Sequence, residues 1–95
     1  MPTTVIHHRD RGSLPQDRVV YIGRPSFWGN PHPVGRTCPR CRVTHTRAEA
    51  IAAFEASLTA EQRRLLPTLK GKVLVCWCAP RSCHGDVLAR LADAL

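Results

Sequence analysis

A chain of 95 residues suits one domain and leaves no room for two. A hydrophobic content of 43% excludes a disordered tail, yet no apolar run is long enough to span a bilayer. The net charge of +7, carried by twelve arginines against two lysines, excludes an acidic surface and suits an anionic partner such as a nucleotide or nucleic acid; a plain solvated basic surface is the alternative.

The first residues, "MPTTVIHHRDRG", lack the apolar core of a signal peptide, so cytoplasmic residence without a membrane partner is expected. Disulfides rarely persist in that compartment. Five cysteines, an odd number, therefore point to metal binding or reactive thiols.

In chain order, "TTVIHH" (3–8) is β-branched and predicts a strand, followed by a loop marked by Gly12 and Pro15. "VVYIG" (19–23) predicts a second strand. "RPSFWGNPHPVG" (24–35) carries three prolines and two glycines, so an ordered loop is expected. Arg24, Ser26, Trp28 and Asn30 cluster in it as candidate binding residues. Gly29 suggests a special backbone angle and a close approach of the chain. Trp28 suits either a stacking platform for a base or a plug at the edge of a small core.

"RTCPRCRVTHTR" (36–47) contains Cys38-x-x-Cys41-x-x-x-His45, a spacing suited to zinc, with Pro39 stiffening the turn. A structural zinc takes four N or S ligands. His32 is the local candidate for the fourth; Cys76, Cys78, Cys83 and His84 are candidates from elsewhere in the fold. Unliganded thiols and a redox dithiol are the alternatives, although redox Cys-x-x-Cys motifs normally open a helix after a strand.

Thr46 with Glu49 forms a capping-box pattern, and Ile51, Phe54 and Leu58 make one apolar stripe of an amphipathic helix. Thr59 with Gln62 repeats the box and starts a short second helix, with Pro67 as its stop. Gly71 turns the chain into "KVLVCWC" (72–78), the most strand-like run. After the loop "APRS", "CHGDVLARLADAL" (83–95) predicts the last helix, with Val87, Leu88, Leu91 and Leu95 on its core side.

The order β, β, α, α, β, α predicts a small α/β fold, three-layer-like, with about three core strands and three helices. If strands 19–23 and 72–78 are parallel neighbours, their carboxyl ends lie side by side, where α/β sheets place ligands. Both motif-rich loops, "RPSFWGNP" and "CAPRSCHGD", begin there.

Three roles fit "CWCAPRSCHGD" (76–86). Cys76 and Cys78 alternate along a strand, which would put both on one face; Cys83 and His84 open a helix. A helix start favours anions and lowers a thiol pKa, so an anion pocket with Arg24 and Arg81 is one role. A reactive site is the second, with Cys83 or Cys78 as nucleophile and His84 or Asp86 as base. A metal site is the third. The plain alternative makes the strand cysteines small buried hydrophobes.

"YIGRPSFWGNP", the helix "TRAEAIAAF" and "LKGKVLVCWCAPRSCHGDVLARL" together resemble the family catalogued as domain of unknown function 4326, found in actinobacteria and their phages. The resemblance runs from Thr3 to about Leu91. It implies a compact α/β domain that brings those two loops together, and it implies no activity. Against the family pattern, residues 32–45 look like an inserted loop, which favours the local ligand set of His32, Cys38, Cys41 and His45 for Zn2+.

The sequence thus predicts one α/β domain over 1–95 with a zinc knuckle inserted at 32–45. The expected function is binding of a nucleotide or nucleic-acid phosphate in a cleft between the two loops. No complete catalytic signature is present, so an enzyme acting on such a substrate ranks second. A phage or bacterial protein-interaction module ranks third.

Overall fold

Three short strands form one parallel sheet: β1 (Thr4–His7), β2 (Val19–Tyr21) and β3 (Val73–Cys76), in the order β1-β3-β2. This computed structural model describes residues 2–12, 14–24, 26–39, 41–79 and 81–95; Met1, Ser13, Pro25, Arg40 and Pro80, the prolines being parts of the two motif-rich loops, lie outside them. β3 is central, with Val19 and Thr4 both opposite Val73. Leu74, Val75 and Cys76 are buried in succession. Side chains alternate along a strand, so both faces of β3 are covered, as its unbroken apolar run demands.

Helices α1 (Arg47–Ala56), α2 (Ala60–Leu65) and α3 (His84–Asp93) begin where the sequence signals them. Thr46 Oγ1 accepts from the Glu49 N–H at 3.2 Å while the Glu49 carboxylate accepts from the Thr46 N–H at 2.8 Å. Thr59 and Gln62 repeat the exchange at 3.0 and 2.9 Å. Each box satisfies two donors that a bare helix end would orphan. Pro67 does not stop the chain outright; it sits in a 3₁₀ turn (Leu66–Leu69) that continues α2.

Helix α3 packs on α1 and on β1 and β3. Ile22, Phe54, Leu74 and Leu88 fill the space between, all buried. Two expectations change. Leu95 is 61% exposed, because α3 ends at Asp93 and the final residue leaves the core stripe. Cys78 lies beyond the end of β3, so it does not share a strand face with Cys76. Thr3 closes the fold by donating through N and Oγ1 to the Asp93 carboxylate, which holds that carboxyl below its usual range. No helix among the described residues is long and apolar enough to cross a membrane.

Gly85, in the first turn of α3, lets this helix approach the sheet. A Cβ there would meet Ile22 Cδ1 at 2.7 Å and Val5 Cγ1 at 3.1 Å. Those side chains belong to the core and its margin, so they have little room to yield. Gly85→Ala is expected to lower stability by about 1–3 kcal/mol, measured by denaturant unfolding, despite the better helix propensity of alanine.

Candidate metal centre and cleft

The knuckle builds itself locally. The Cys38 N–H donates to the Val43 carbonyl at 2.8 Å, and the Arg42 N–H donates to the Cys38 carbonyl at 2.7 Å. Arg42 adopts φ 61° to close this turn, a conformation that costs a side-chain-bearing residue on the order of 1 kcal/mol. Bridges Thr37–Thr44 and Val34–His45 then return the chain, bringing His45 beside His32.

Donor atoms of His32, Cys38, Cys41 and His45 all lie within 4.8 Å of one another, close enough to hold a metal ion. His32 Nδ1 is 3.3 Å from Cys38 Sγ and 3.5 Å from Cys41 Sγ. Bonds of about 2.3 Å to sulfur and about 2.0 Å to nitrogen, set tetrahedrally, separate such atoms by about 3.5 Å. These are coordination spacings for zinc. The Nε2 of His45 is buried with no hydrogen-bond partner among the described residues, a cost that a bound cation would remove. Cys76, Cys78, Cys83 and His84 do not join the cluster.

Asn30 connects this knuckle to the fold. Its Oδ1 accepts from the His32 N–H at 2.8 Å and its Nδ2 donates to the Ala50 carbonyl of α1 at 3.1 Å. The expected close approach at Gly29 is to the chain itself: a Cβ would meet Arg24 Cα at 3.1 Å, and its φ is not left-handed.

A cavity of about 360 Å³ opens at the carboxyl ends of β2 and β3, the edge that the crossover argument selects. Arg24, Asn30, Cys78, Cys83 and His84 of the expected set line it. Ser26, Trp28, Arg81 and Asp86 are not among its lining residues. Arg47, from the first turn of α1, contributes a second arginine and donates to the Ser82 carbonyl at 3.2 Å.

The start of α3 is occupied by its own cap. Cys83 Sγ accepts from the Gly85 N–H at 3.3 Å, the Cys83 N–H donates to the Asp86 carboxylate at 3.1 Å, and the Asp86 N–H donates to the Cys83 carbonyl at 3.0 Å. An anion would have to displace these bonds, so the cleft takes its positive charge from arginines rather than from the helix end. Cys83 is only 3% exposed, with its sulfur 3.5 Å from Cys76 Sγ. Burial pushes its thiol up to about 12; the Gly85 N–H opposes the rise, while Cys76 and Asp86 add to it. The lowering expected of a helix start is thus reversed. A thiol held so firmly in its neutral form suits a packed cap and not an attacking group. Of the two thiols named as nucleophiles, Cys78 is the more accessible, half-buried on the cavity wall.

His84 is buried, and its Nε2–H donates to the Ile22 carbonyl at 2.7 Å. Burial lowers its pKa, against the raising influence of the Ile22 and Trp28 carbonyls. Burial thus favours the neutral imidazole, which clamps the start of α3 to the end of β2 through its Nε2–H. Asp86 is held at the helix start, where its carboxylate accepts from the Cys83 N–H at 3.1 Å.

Trp28 is 7% exposed and belongs to the core, edge-on to Phe27. Its role is the plug, and the stacking role is unavailable to a ring so covered. The exposed tryptophan is Trp77, at 60%, which lines the cavity and went unnoticed in the sequence. Its place one residue past the last strand, at the edge where ligands bind, was the signal that could have found it.

The family model described as "Domain of unknown function (DUF4326)" matches residues 5–94. A protein of Enterobacteria phage T4, "Uncharacterized 12.4 kDa protein in nrdA-td intergenic region", is 32% identical over 85 residues, covering 83% of this chain and 71% of that one. No solved structure matches.

Two outcomes follow from the geometry. Elemental analysis with native mass spectrometry should find one zinc per chain, lost in Cys38→Ser together with much of the stability; unchanged metal content would move the site elsewhere. In an NMR titration the His84 imidazole should protonate below its ordinary value of about 6.5. Because the unfolded chain then binds the proton more readily, this contribution to stability is complete above about 6.5 and is lost as pH falls through the lowered folded-state pKa.

Proposed function

We propose a function for a chain that belongs to the family of domain of unknown function 4326, whose description assigns no activity. It holds a phosphate-bearing nucleotide, free or within a nucleic acid, in the cavity at the carboxyl edge of the sheet, and residues 32–45 form a zinc-stapled insertion that steadies one wall.

One observation carries this reading: Arg24, from the loop after β2, and Arg47, from the start of α1, line the same cavity, and no acidic residue among the described residues does. Two guanidinium groups without a carboxylate between them favour a multiply charged anion. A phosphate matches the guanidinium fork with paired hydrogen bonds. The net charge of +7 adds long-range attraction for the same class of ligand. Two cysteines and two histidines would complete a four-coordinate set around a zinc ion, leaving no open position for a reacting group. The metal would therefore stabilise the fold, and Asn30 would pass that order to the cavity wall.

Titration calorimetry with nucleoside phosphates and short oligonucleotides tests this. Binding should weaken steeply between about 50 and 200 mM salt. Arg24→Ala should weaken it by roughly tenfold or more, since a hydrogen bond to a charged group contributes about 1.5–3 kcal/mol. No binding of either ligand at low salt would end the proposal.

A further inference from the structure

We infer that Trp77 and His8 form a stacking shelf for one unpaired nucleobase, whose own phosphate reaches Arg24 and Arg47; this deepens the phosphate reading and rests on it.

Trp77 is the largest exposed aromatic in the chain, at 60%, and solvent exposure of so much apolar ring gains the folded protein nothing. The ring is nonetheless held on several sides. Its Nε1–H donates to Tyr21 Oη at 2.8 Å, and Tyr21 Oη donates to the Arg24 carbonyl at 3.4 Å. His8 lies nearly parallel to it, with centroids 4.4 Å apart and planes 14° from each other. His7 meets it edge-on at 5.8 Å.

These contacts draw on the carboxyl ends of all three strands, so the shelf exists only because the sheet is parallel. An exposed indole fixed in this way is preorganised, and a ligand that stacks on it pays little ordering entropy. His8 takes one face of the indole, and the residue still keeps 60% of its surface exposed. Trp77 and Tyr21 line the same cavity as the two arginines. The hydrogen-bond chain through Tyr21 also ties the shelf to the loop that presents Arg24.

A cavity of about 360 Å³ lies near the lower end of small-molecule sites, which run from roughly 300 to 1,000 Å³. It has room for a single nucleotide. A base within a duplex has both faces stacked already, so the ligand is an unpaired base. Stacking tolerates any base, since each has a π-face. Free nucleotides and single strands offer the same chemistry.

The test compares wild type, Trp77→Ala and Trp77→Phe with four probes: adenosine monophosphate, ribose 5-phosphate, a short single-stranded oligoadenylate and its duplex. Trp77→Ala should weaken adenosine monophosphate or the oligoadenylate by about fivefold or more while leaving ribose 5-phosphate unchanged. Trp77→Phe should recover most of the loss, which a general folding defect would not allow. Trp77-dependent binding of the oligoadenylate alone identifies a strand as the source; equal dependence for the monophosphate identifies a free nucleotide. Equal affinity of Trp77→Ala and wild type, with Arg24→Ala still impaired, would overturn the shelf and leave the phosphate site standing. Preference for the duplex would overturn it as well. Failure of every probe to bind wild type at low salt would remove both.

Discussion

A buried, neutral imidazole holds the two halves of the cleft together. His84 opens α3, and its Nε2–H reaches 2.7 Å to the Ile22 carbonyl, just past β2. Without that bond the last helix and the loop after β2 would each carry an unpaired polar group in a dry interior, at a cost of about 1–3 kcal/mol per group. Gly85 is the companion condition, because the helix can come this near the sheet only where a side chain is missing. The "Cys-His-Gly-Asp" run therefore acts as a docking device: Cys83 and Asp86 cap the helix, His84 anchors it and Gly85 admits it.

The parallel register gives that device its consequence. Tyr21 stands opposite Val75 and His7 opposite Cys76, so all three strands end on one side. Each end delivers something different there: histidines from β1, Tyr21 and Arg24 from β2, Trp77 and Cys78 from β3. The knuckle adds the remaining wall, and Asn30 ties it to α1 through both ends of one amide. In a domain with so small a core, four ligands on one ion would be a large fraction of what holds the fold together. A metal held by the knuckle would therefore be coupled to the shape of the cleft through that single side chain.

Much of this was legible in the residues. Both threonine capping boxes lie where their spacing places them, because a helix start is decided within four residues. The candidate metal cluster was legible for the same reason: a Cys-x-x-Cys turn with nearby histidines needs only local geometry, and His32 is the fourth member of the cluster. The α/β class followed from element order, while the parallel pairing of β2 with β3 entered the sequence reading as a condition that the structure meets.

What the sequence by itself determined was thus local: where helices start, which run becomes the central strand, which residues could cluster around a metal. Burial decided the rest, and burial is a property of the assembled fold. The two tryptophans are equivalent as letters, yet one plugs the core and the other stands in solvent beside the cavity. Cys83 sits at a helix start, which alone would lower its pKa, but desolvation by the packed helix outweighs the helix end and reverses the direction. Arg81 is near the motif in sequence, while Arg47, 34 positions earlier than Arg81, is the arginine that reaches the cavity. Charge, reactivity and access depend on what surrounds a side chain in three dimensions, and only the tertiary structure supplies those neighbours.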